Sequence, residues 1–452
     1  MTSERIPILR HASTILVGQL AVMAFGITDT LVAARYADTA LASLSVGSAT
    51  YISVHVALMG ILQALLPIWA ELHGANKPQA LGRSVRQALY LVLLTSTIGI
   101  AVLLHPTPLL SWAQIPIHLQ ADVLDYLTVV AFGLPASLLF RLFGTLNQSI
   151  GRPRAVTLVQ VLGLGCKVPL SIVLVLGVPG QFAPMGLVGC AWATVLVNFS
   201  MVGFAVVLMR TQSFYRAYGF WQRIEAPNFS VLAQFLKLGI PSGLAIGVEV
   251  TSFTLMSLFI ARLGVVASAS HQITASIATV LYMVPLSLSI ACSARVSFWL
   301  GADKFQHARK ALRDGFSLVL IFATLMSLLL VLFQQEVVHF YTQSPAVAEL
   351  AGLLLFWLAC YQIADAIQVF CVFALRCYRI TLLPLITYAV TLWGVGLAGG
   401  YAVCYGWLHW EEATWLQVQS PITFWQTSTF ALLLTVLALF PVLWQNAYKR
   451  NS

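Results

Sequence analysis

Charged side chains inside long apolar stretches are the residues of this chain best suited to chemistry. The acids are Asp29, Glu71, Glu249 and Asp365, and the bases are Arg141, Lys167 and Arg295. A charge removed from water is costly unless it is paired, neutralised by a proton or reached by solvent. Each of these residues is therefore either a candidate functional group or one half of a buried ion pair.

The two acids in the second half of the chain have the most informative neighbours. Tyr361 and Gln368 lie four residues before and three residues after Asp365, so the three side chains share one helix face. Glu249 is followed closely by a threonine and a serine. A carboxyl group held away from water binds a proton more readily, whereas carboxylate and hydroxyl oxygens together suit a hard cation. The pattern predicts a site for a proton or for a hard monovalent cation, and a purely structural ion pair is the alternative.

The composition identifies the solvent around these residues. Hydrophobic residues make up 59% of the chain and charged residues 9%, where a soluble domain has about 25% charged residues. Such a chain cannot cover a water-facing surface, so lipid must surround most of it. The formal net charge of +9 does not indicate nucleic-acid binding, because most basic residues fall in short loops. The sequence contains neither a GxxxxGK phosphate loop nor an HExxH motif, so ATP-driven pumping and zinc chemistry lack support.

Twelve apolar stretches are long enough to cross a bilayer, which takes about 20 residues of helix. Helices are the expected form because they satisfy every backbone polar group within lipid. The spans are predicted near residues 11–34, 44–70, 86–105, 123–146, 155–178, 186–209, 231–261, 265–299, 314–334, 347–374, 381–405 and 423–445. The predicted fold is an all-α, polytopic membrane protein with twelve transmembrane helices.

The basic residues are distributed unevenly between the two sides of these spans. Eighteen lie in the termini and loops of one side, whereas the loops of the other side hold only Arg35 and Arg262. Cytoplasmic loops carry the excess of lysine and arginine in membrane proteins. Both termini are therefore predicted to be cytoplasmic, and a bacterial inner membrane is the expected location.

The two halves of the chain resemble each other at a constant offset of 227 residues. GANKPQ at 74–79 corresponds to GADKFQ at 301–306, and the Ala-Arg pair at 34–35 corresponds to the one at 261–262. This offset joins loops on the same side, so the repeat is parallel and relates two six-helix lobes by a pseudo-two-fold axis. The lobes are predicted at 1–222 and 223–452. Two such bundles suit transport by alternating access.

Several motifs in register with these spans resemble the multidrug and toxic compound extrusion (MATE) family, in its NorM-type branch. They are GITDT at 26–30, GRP at 151–153, LGIP at 238–241, VEVT at 248–251, HQI at 271–273 and YQIADAIQ at 361–368. Each motif is weak alone, but the ordered set covers nearly the whole chain. The resemblance implies a secondary antiporter, not an enzyme, that exports organic cations, dyes and fluoroquinolone-like drugs in exchange for Na⁺ or H⁺.

The resemblance also implies roles for individual residues. The acids at Glu249 and Asp365, with Tyr361, match the family's cation-binding positions in the C-terminal half, so Na⁺ is a candidate ligand there. Asp29 matches the coupling acid of the N-terminal half. Weaker candidates for substrate binding are Gln368, Thr251, Ser252 and Lys167. No cofactor beyond the coupling ion is expected. The predicted partners are small organic cations or drugs and membrane lipid, without nucleic acid, and a monomer is predicted.

One departure from the family pattern concerns the N-terminal half. Related NorM-type proteins have asparagines where this chain has Lys167 and Ser171. A lysine here either pairs with Asp29 and keeps it ionised or is a neutral amine, and the sequence leaves both open. Three other functions also remain open: a lipid-linked precursor flippase of the wider superfamily, an intramembrane enzyme and, less favoured, an ion channel.

Overall fold

The computed structural model describes residues 4–106, 117–406 and 420–449. These residues are almost entirely helical and contain no β-strand. Twelve of their helical segments are long and apolar enough to cross a membrane, which confirms the predicted number of spans. Each of the twelve overlaps the predicted span of the same rank.

The helices are labelled in chain order, and all of them except the short α11 belong to the twelve spans. They are α1 (Arg5–Tyr36), α2 (Asp38–Gln63), α3 (Leu66–Gly74), α4 (Pro78–Leu104), α5 (Ile117–Ser149), α6 (Pro153–Leu176), α7 (Leu187–Thr211), α8 (Phe229–Ala261), α9 (Val265–Gly301), α10 (Phe305–Leu332), α11 (Gln334–Tyr341), α12 (Pro345–Cys377), α13 (Leu382–Tyr388), α14 (Gly400–Cys404) and α15 (Pro421–Lys449). A π-helix, Ala389–Gly399, joins α13 to α14, and a short 3₁₀-helix, Ser213–Tyr218, follows α7.

The repeated sequence forms the same turn in both halves. Asn76 and Asp303 have φ of 54° and 55°, a left-handed conformation that asparagine and aspartate tolerate better than most residues. The backbone N–H of the following lysine closes each turn, from Lys77 to Leu72 at 3.0 Å and from Lys304 to Trp299 at 2.9 Å. The sequence repeat therefore corresponds to a repeat in local backbone structure.

Packing divides the chain into two compact units. The N unit is Thr14–Gly243, and the C unit is Leu244–Ser452 together with Met1–Ser13. The lobes at 1–222 and 223–452 stay a prediction from the sequence repeat. Within the C unit, α12 is the most enclosed span. In its most apolar stretch of 18 residues 78% of the residues are buried, compared with 22% to 56% in the other spans. Neighbouring helices therefore shield Gln362, Asp365 and Gln368, which are polar residues on the buried part of α12.

Two charged residues attach the N-terminal segment to the rest of the C unit. Arg295 Nη2 lies 2.6 Å from Glu4 Oε2, and Trp299 Nε1 donates a hydrogen bond to Glu4 Oε1 at 3.2 Å. Glu4 is only 5% exposed. Arg295, a charged candidate from the sequence, thus has a structural partner in this segment.

The linker after α7 is held to α4 by a second charged pair, within the N unit. Arg86 is buried and donates from Nε to Glu225 Oε2 at 2.8 Å, from Nη2 to Glu225 Oε1, and from Nη1 to the Gly219 carbonyl at 2.5 Å. Tyr90 donates to the backbone carbonyl of Glu225 at 2.9 Å. Bidentate arginine–carboxylate pairs are among the stronger charged contacts in proteins, so this pair fixes the linker.

Replacing Glu225 with glutamine is expected to lower the thermal stability of the purified protein in a pH-dependent way. Hydrogen bonds from Arg86 lower the pKa of Glu225 from its ordinary 4.5 to about 2. A carboxyl group whose pKa is lower in the folded protein stabilises it fully above pH 4.5, and the stabilisation fades as the pH falls toward 2. The difference in melting temperature between wild type and E225Q, followed by intrinsic fluorescence, should therefore shrink over that range.

Arg83 supplies the matched control for this experiment. Its Nε lies 3.7 Å from Glu225 Oε1, but its side chain is 74% exposed, and exposed pairs contribute little. R83Q should leave the melting temperature nearly unchanged. An equal loss from R83Q and E225Q, or a constant E225Q difference from pH 7 to pH 2, would contradict the assigned role of the Arg86–Glu225 pair.

Candidate functional site

Two acids from separate helices of the C unit share one hydrogen-bond donor. Gln368 Nε2, on α12, donates to Asp365 Oδ1 at 3.0 Å and to Glu249 Oε1, on α8, at 3.2 Å. Because both oxygens bond the same nitrogen, the two carboxyl groups are close neighbours. Asp365 is 4% exposed and Gln368 fully buried, whereas Glu249 is half-buried.

Two tyrosines fix the orientation of this arrangement. Tyr388, at the end of α13, donates to Gln368 Oε1, and Tyr282, on α9, donates to Glu249 Oε1 at 3.5 Å. A glutamine amide has an acceptor oxygen and a donor NH₂ group. Since the tyrosine hydroxyl bonds the oxygen, the NH₂ group is directed toward the two acids.

The acids line one cavity inside the C unit. Its lining residues are Glu249, Ser252, Phe253, Met256, Tyr361, Asp365, Leu392, Gly396, Ser428 and Leu432. The cavity therefore combines carboxyl oxygens with hydroxyl groups on an apolar surround. Thr251 is not among these lining residues, and its hydroxyl donates to the Gly247 carbonyl of its own helix at 2.6 Å.

A π-helix forms one side of this cavity. Leu392 and Gly396 belong to the segment Ala389–Gly399, in which the backbone is wound more widely than in an α-helix. Such segments are rare and are frequent at functional sites. Gly396 lets this segment pack closely against α15, since a Cβ there would lie 3.3 Å from the Ala431 side chain.

This arrangement suits the binding of a single small cation. Two neighbouring carboxylates repel each other unless a proton or a cation neutralises them, and a low-dielectric site increases that repulsion. Oxygen donors are the ligands of hard cations, and Glu249, Asp365 and the Tyr361 hydroxyl group are available for that role. Among the described residues no cluster of three or more His, Cys, Asp or Glu side chains is present, so a transition-metal centre has no support there.

The acid of the N unit is already paired within the protein. Lys167 Nζ, on α6, lies 2.7 Å from Asp29 Oδ1 on α1 and donates to Thr194 Oγ1 at 2.7 Å. Ser171 Oγ donates to Asp29 Oδ1 at 3.3 Å. Lys167 is 0% exposed and Asp29 8% exposed. The Lys167 Nζ atom therefore occupies a position next to Asp29 where a free cation would otherwise bind.

The structure thus groups the sequence candidates into two sites. Glu249, Asp365, Gln368, Tyr361 and Ser252 come together in the C unit. Asp29 and Lys167 form a separate buried pair in the N unit. Tyr282 and Tyr388 were not predicted from the sequence. The feature that could have indicated them is the presence of a tyrosine hydroxyl within an otherwise apolar span.

The comparison with known proteins decides the family. Residues 14–173 and 241–402 match the family model described as MatE. The chain belongs to the MatE family. Members of this family are membrane transporters, so the intramembrane enzyme considered from the sequence is excluded.

Individual MatE relatives agree with the predicted NorM-type branch. A probable multidrug resistance protein NorM of Aromatoleum aromaticum is 37% identical over 94% of this chain and 91% of its own length. The multidrug resistance protein PmpM of Pseudomonas aeruginosa is 31% identical over 89% of this chain and 84% of its own length. The eukaryotic MATE transporter AtDTX14 shares the fold, with a TM-score of 0.85 over 99% of this chain and 98% of that one at 16% identity.

Proposed function

We propose that this MatE protein is a multidrug efflux antiporter that exports organic cations, dyes and fluoroquinolone-like drugs in exchange for Na⁺ or H⁺. The proposal includes a multi-pass position in a bacterial inner membrane, with both termini in the cytoplasm. Multidrug resistance proteins are the relatives with 31% to 37% identity, which supports drugs as the substrate class. We propose a monomer as the working unit.

The observation that carries the proposal is the Glu249–Asp365 pair. Its two carboxyl groups face one cavity and share the Gln368 amide, so a captured proton or Na⁺ interacts with both. In an antiporter the ion stabilises one conformation and the drug stabilises another. Each ligand shifts the equilibrium only by the difference in its affinity for the two conformations.

The proposed coupling belongs to the C unit alone. Asp29 has an internal counter-ion in Lys167, so a further cation has no uncompensated charge to neutralise there. Glu249 interacts electrostatically with the buried Arg376, but among the described residues neither Glu249 nor Asp365 forms a salt bridge with a basic side chain. We propose that an ion from solution neutralises the remaining charge of the pair. We therefore propose that one cation site per molecule links drug export to the ion gradient.

Proteoliposomes with separately imposed gradients test this function. The wild-type protein is reconstituted with ethidium as the transported probe, and Na⁺ and pH gradients are applied one at a time. Antiport predicts that one of the two gradients drives ethidium accumulation against its concentration gradient. The gradient that works identifies the ion.

The remaining alternatives give other outcomes in the same vesicles. A channel passes Na⁺ or H⁺ without ethidium, and a flippase moves a fluorescent lipid-linked precursor while ethidium stays in place. If one of these activities is seen and ethidium accumulates under neither the Na⁺ gradient nor the pH gradient, the proposed function is contradicted. Vesicles without protein give the background for each probe.

A further inference from the structure

A second cavity lies wholly within the N unit and has a chemistry opposite to that of the acidic site. It is enclosed by α1, α2, α5, α6 and α7, near the end of the unit where α5 ends and α6 begins. Its volume is about 130 Å³, whereas a single buried water needs about 10–15 Å³, so a multi-atom group fits. The loop at this end of the unit is predicted to be cytoplasmic.

Arg141 is the charged residue of this lining. The described lining residues include no aspartate or glutamate. His55 and the amides of Gln148, Gln160 and Asn198 add hydrogen-bonding groups from four helices. A cavity of this kind attracts an anion or a zwitterion, because its described lining carries a positive charge and no carboxylate.

Gln148 gives an independent indication of a ligand. It is 5% exposed, lines the cavity, and its Oε1 meets no hydrogen-bond donor among the residues that the structure describes. A buried polar atom without a partner is destabilising and calls for an explanation such as water or a ligand. A glutamine amide provides both a donor and an acceptor, so it suits a polar group adjoining a carboxylate.

The remaining wall of the cavity is aromatic and sulfur-containing. Phe25, Phe140, Met59 and Met201 line it. Methionine adapts its shape to flat ligands, and sulfur–aromatic and ring–ring contacts stabilise an aromatic occupant. A guanidinium group binds a carboxylate through two parallel hydrogen bonds.

We propose that this cavity is a binding site for the carboxylate of aromatic zwitterionic substrates, with Arg141 as the carboxylate-binding residue. The inference rests on the proposed drug export and deepens it, because it divides the substrates into two classes. Zwitterions such as norfloxacin use the Arg141 cavity, and cations without a carboxylate, such as ethidium, do not. Arg141 is thus assigned as a specificity-determining residue.

The test compares three probes on purified protein in nanodiscs: norfloxacin, its methyl ester and ethidium. In R141Q the dissociation constant of norfloxacin should rise about 10- to 100-fold, as expected for lost hydrogen bonds between charged groups. The ester and ethidium should bind R141Q as they bind the wild type. R141K should retain part of the norfloxacin affinity, because it keeps the charge and loses the bidentate geometry.

Two further variants keep the result interpretable. R154Q changes an exposed arginine on α6, at the same end of the N unit, and should leave all three affinities unchanged. Q148L removes the unpartnered amide and should weaken norfloxacin more than ethidium, which tests the site even where R141Q does not fold. Equal weakening of norfloxacin and its ester, or wild-type affinity in both R141Q and Q148L, would overturn the assignment.

The same measurements separate this inference from the proposed function. Selective loss of norfloxacin binding in R141Q supports the Arg141 site whether or not an ion gradient drives transport. Ethidium accumulation that is driven by an ion gradient supports antiport whether or not R141Q affects norfloxacin. Failure of one is therefore distinguishable from failure of the other.

Discussion

Replacing Glu249 with glutamine, or Asp365 with asparagine, is expected to weaken ion-driven export of ethidium strongly while leaving the fold intact. Either substitution removes one of the two carboxyl groups that share the Gln368 donor. The coupling ion then loses a ligand, so the difference in its affinity for the two conformations becomes smaller. Coupling energies between two ligands are typically about 5- to 150-fold in affinity. We expect the ethidium accumulation ratio under an imposed gradient to fall by a factor in this range.

Glu349 offers a matched control for both substitutions. It lies on α12, the same helix as Asp365, but is exposed. E349Q should retain full gradient-driven accumulation in the same proteoliposomes. Gradient-driven accumulation by E249Q and D365N at the wild-type level would rule out the carboxyl pair as the coupling site.

The second large effect concerns the buried pair in the N unit, and here we expect a loss of stability and not of coupling. Either D29N or K167M leaves one buried charge without its partner. Removing one member of a buried ion pair typically costs about 3–5 kcal/mol, whereas replacing both members is far less harmful. The double variant D29N/K167M should therefore be more stable than either single variant, as measured by thermal unfolding in detergent.

Transport by the double variant distinguishes a structural pair from a coupling site. Because Lys167 already neutralises Asp29, removing both charges should leave the dependence of ethidium export on the ion gradient in place. Loss of that dependence in a folded double variant would show that the N unit takes part in coupling. Additive destabilisation by the two substitutions would show that the pair contributes little.

Much of the fold could be predicted from the sequence because the spans depend on local composition. Apolar stretches of sufficient length are visible directly, and prolines at the starts of α4, α6, α12 and α15 mark helix boundaries. The second span was less predictable, since it was expected as one stretch near 44–70. A turn at residues 64–65 divides it into α2 and α3. Pro67 explains this turn, because it has no backbone N–H to donate to the Gln63 carbonyl four residues earlier.

The candidate site was predictable only in part because its contacts join distant parts of the chain. Asp365 and Gln368 are three residues apart on one helix, so helical spacing predicts their contact. Gln368 and Glu249 are 119 residues apart, and that contact depends on how two helices pack. The partner of Arg295 is similarly remote, since Glu4 is 291 positions away. The π-helix has no distinct hydropathy signal, so the cavity wall at Leu392 was not foreseen.

Competition between drug and ion on the purified protein shows whether the Glu249–Asp365 pair captures the coupling ion. The dissociation constant of ethidium is measured in nanodiscs while Na⁺ and pH are varied one at a time, for the wild type and for E249Q/D365N. If the Glu249–Asp365 pair captures the coupling ion, ethidium affinity in the wild type will change steadily with one of the two variables, and in the double variant it will not. An ethidium affinity that follows Na⁺ or pH equally in both proteins would rule out ion capture by Glu249 and Asp365.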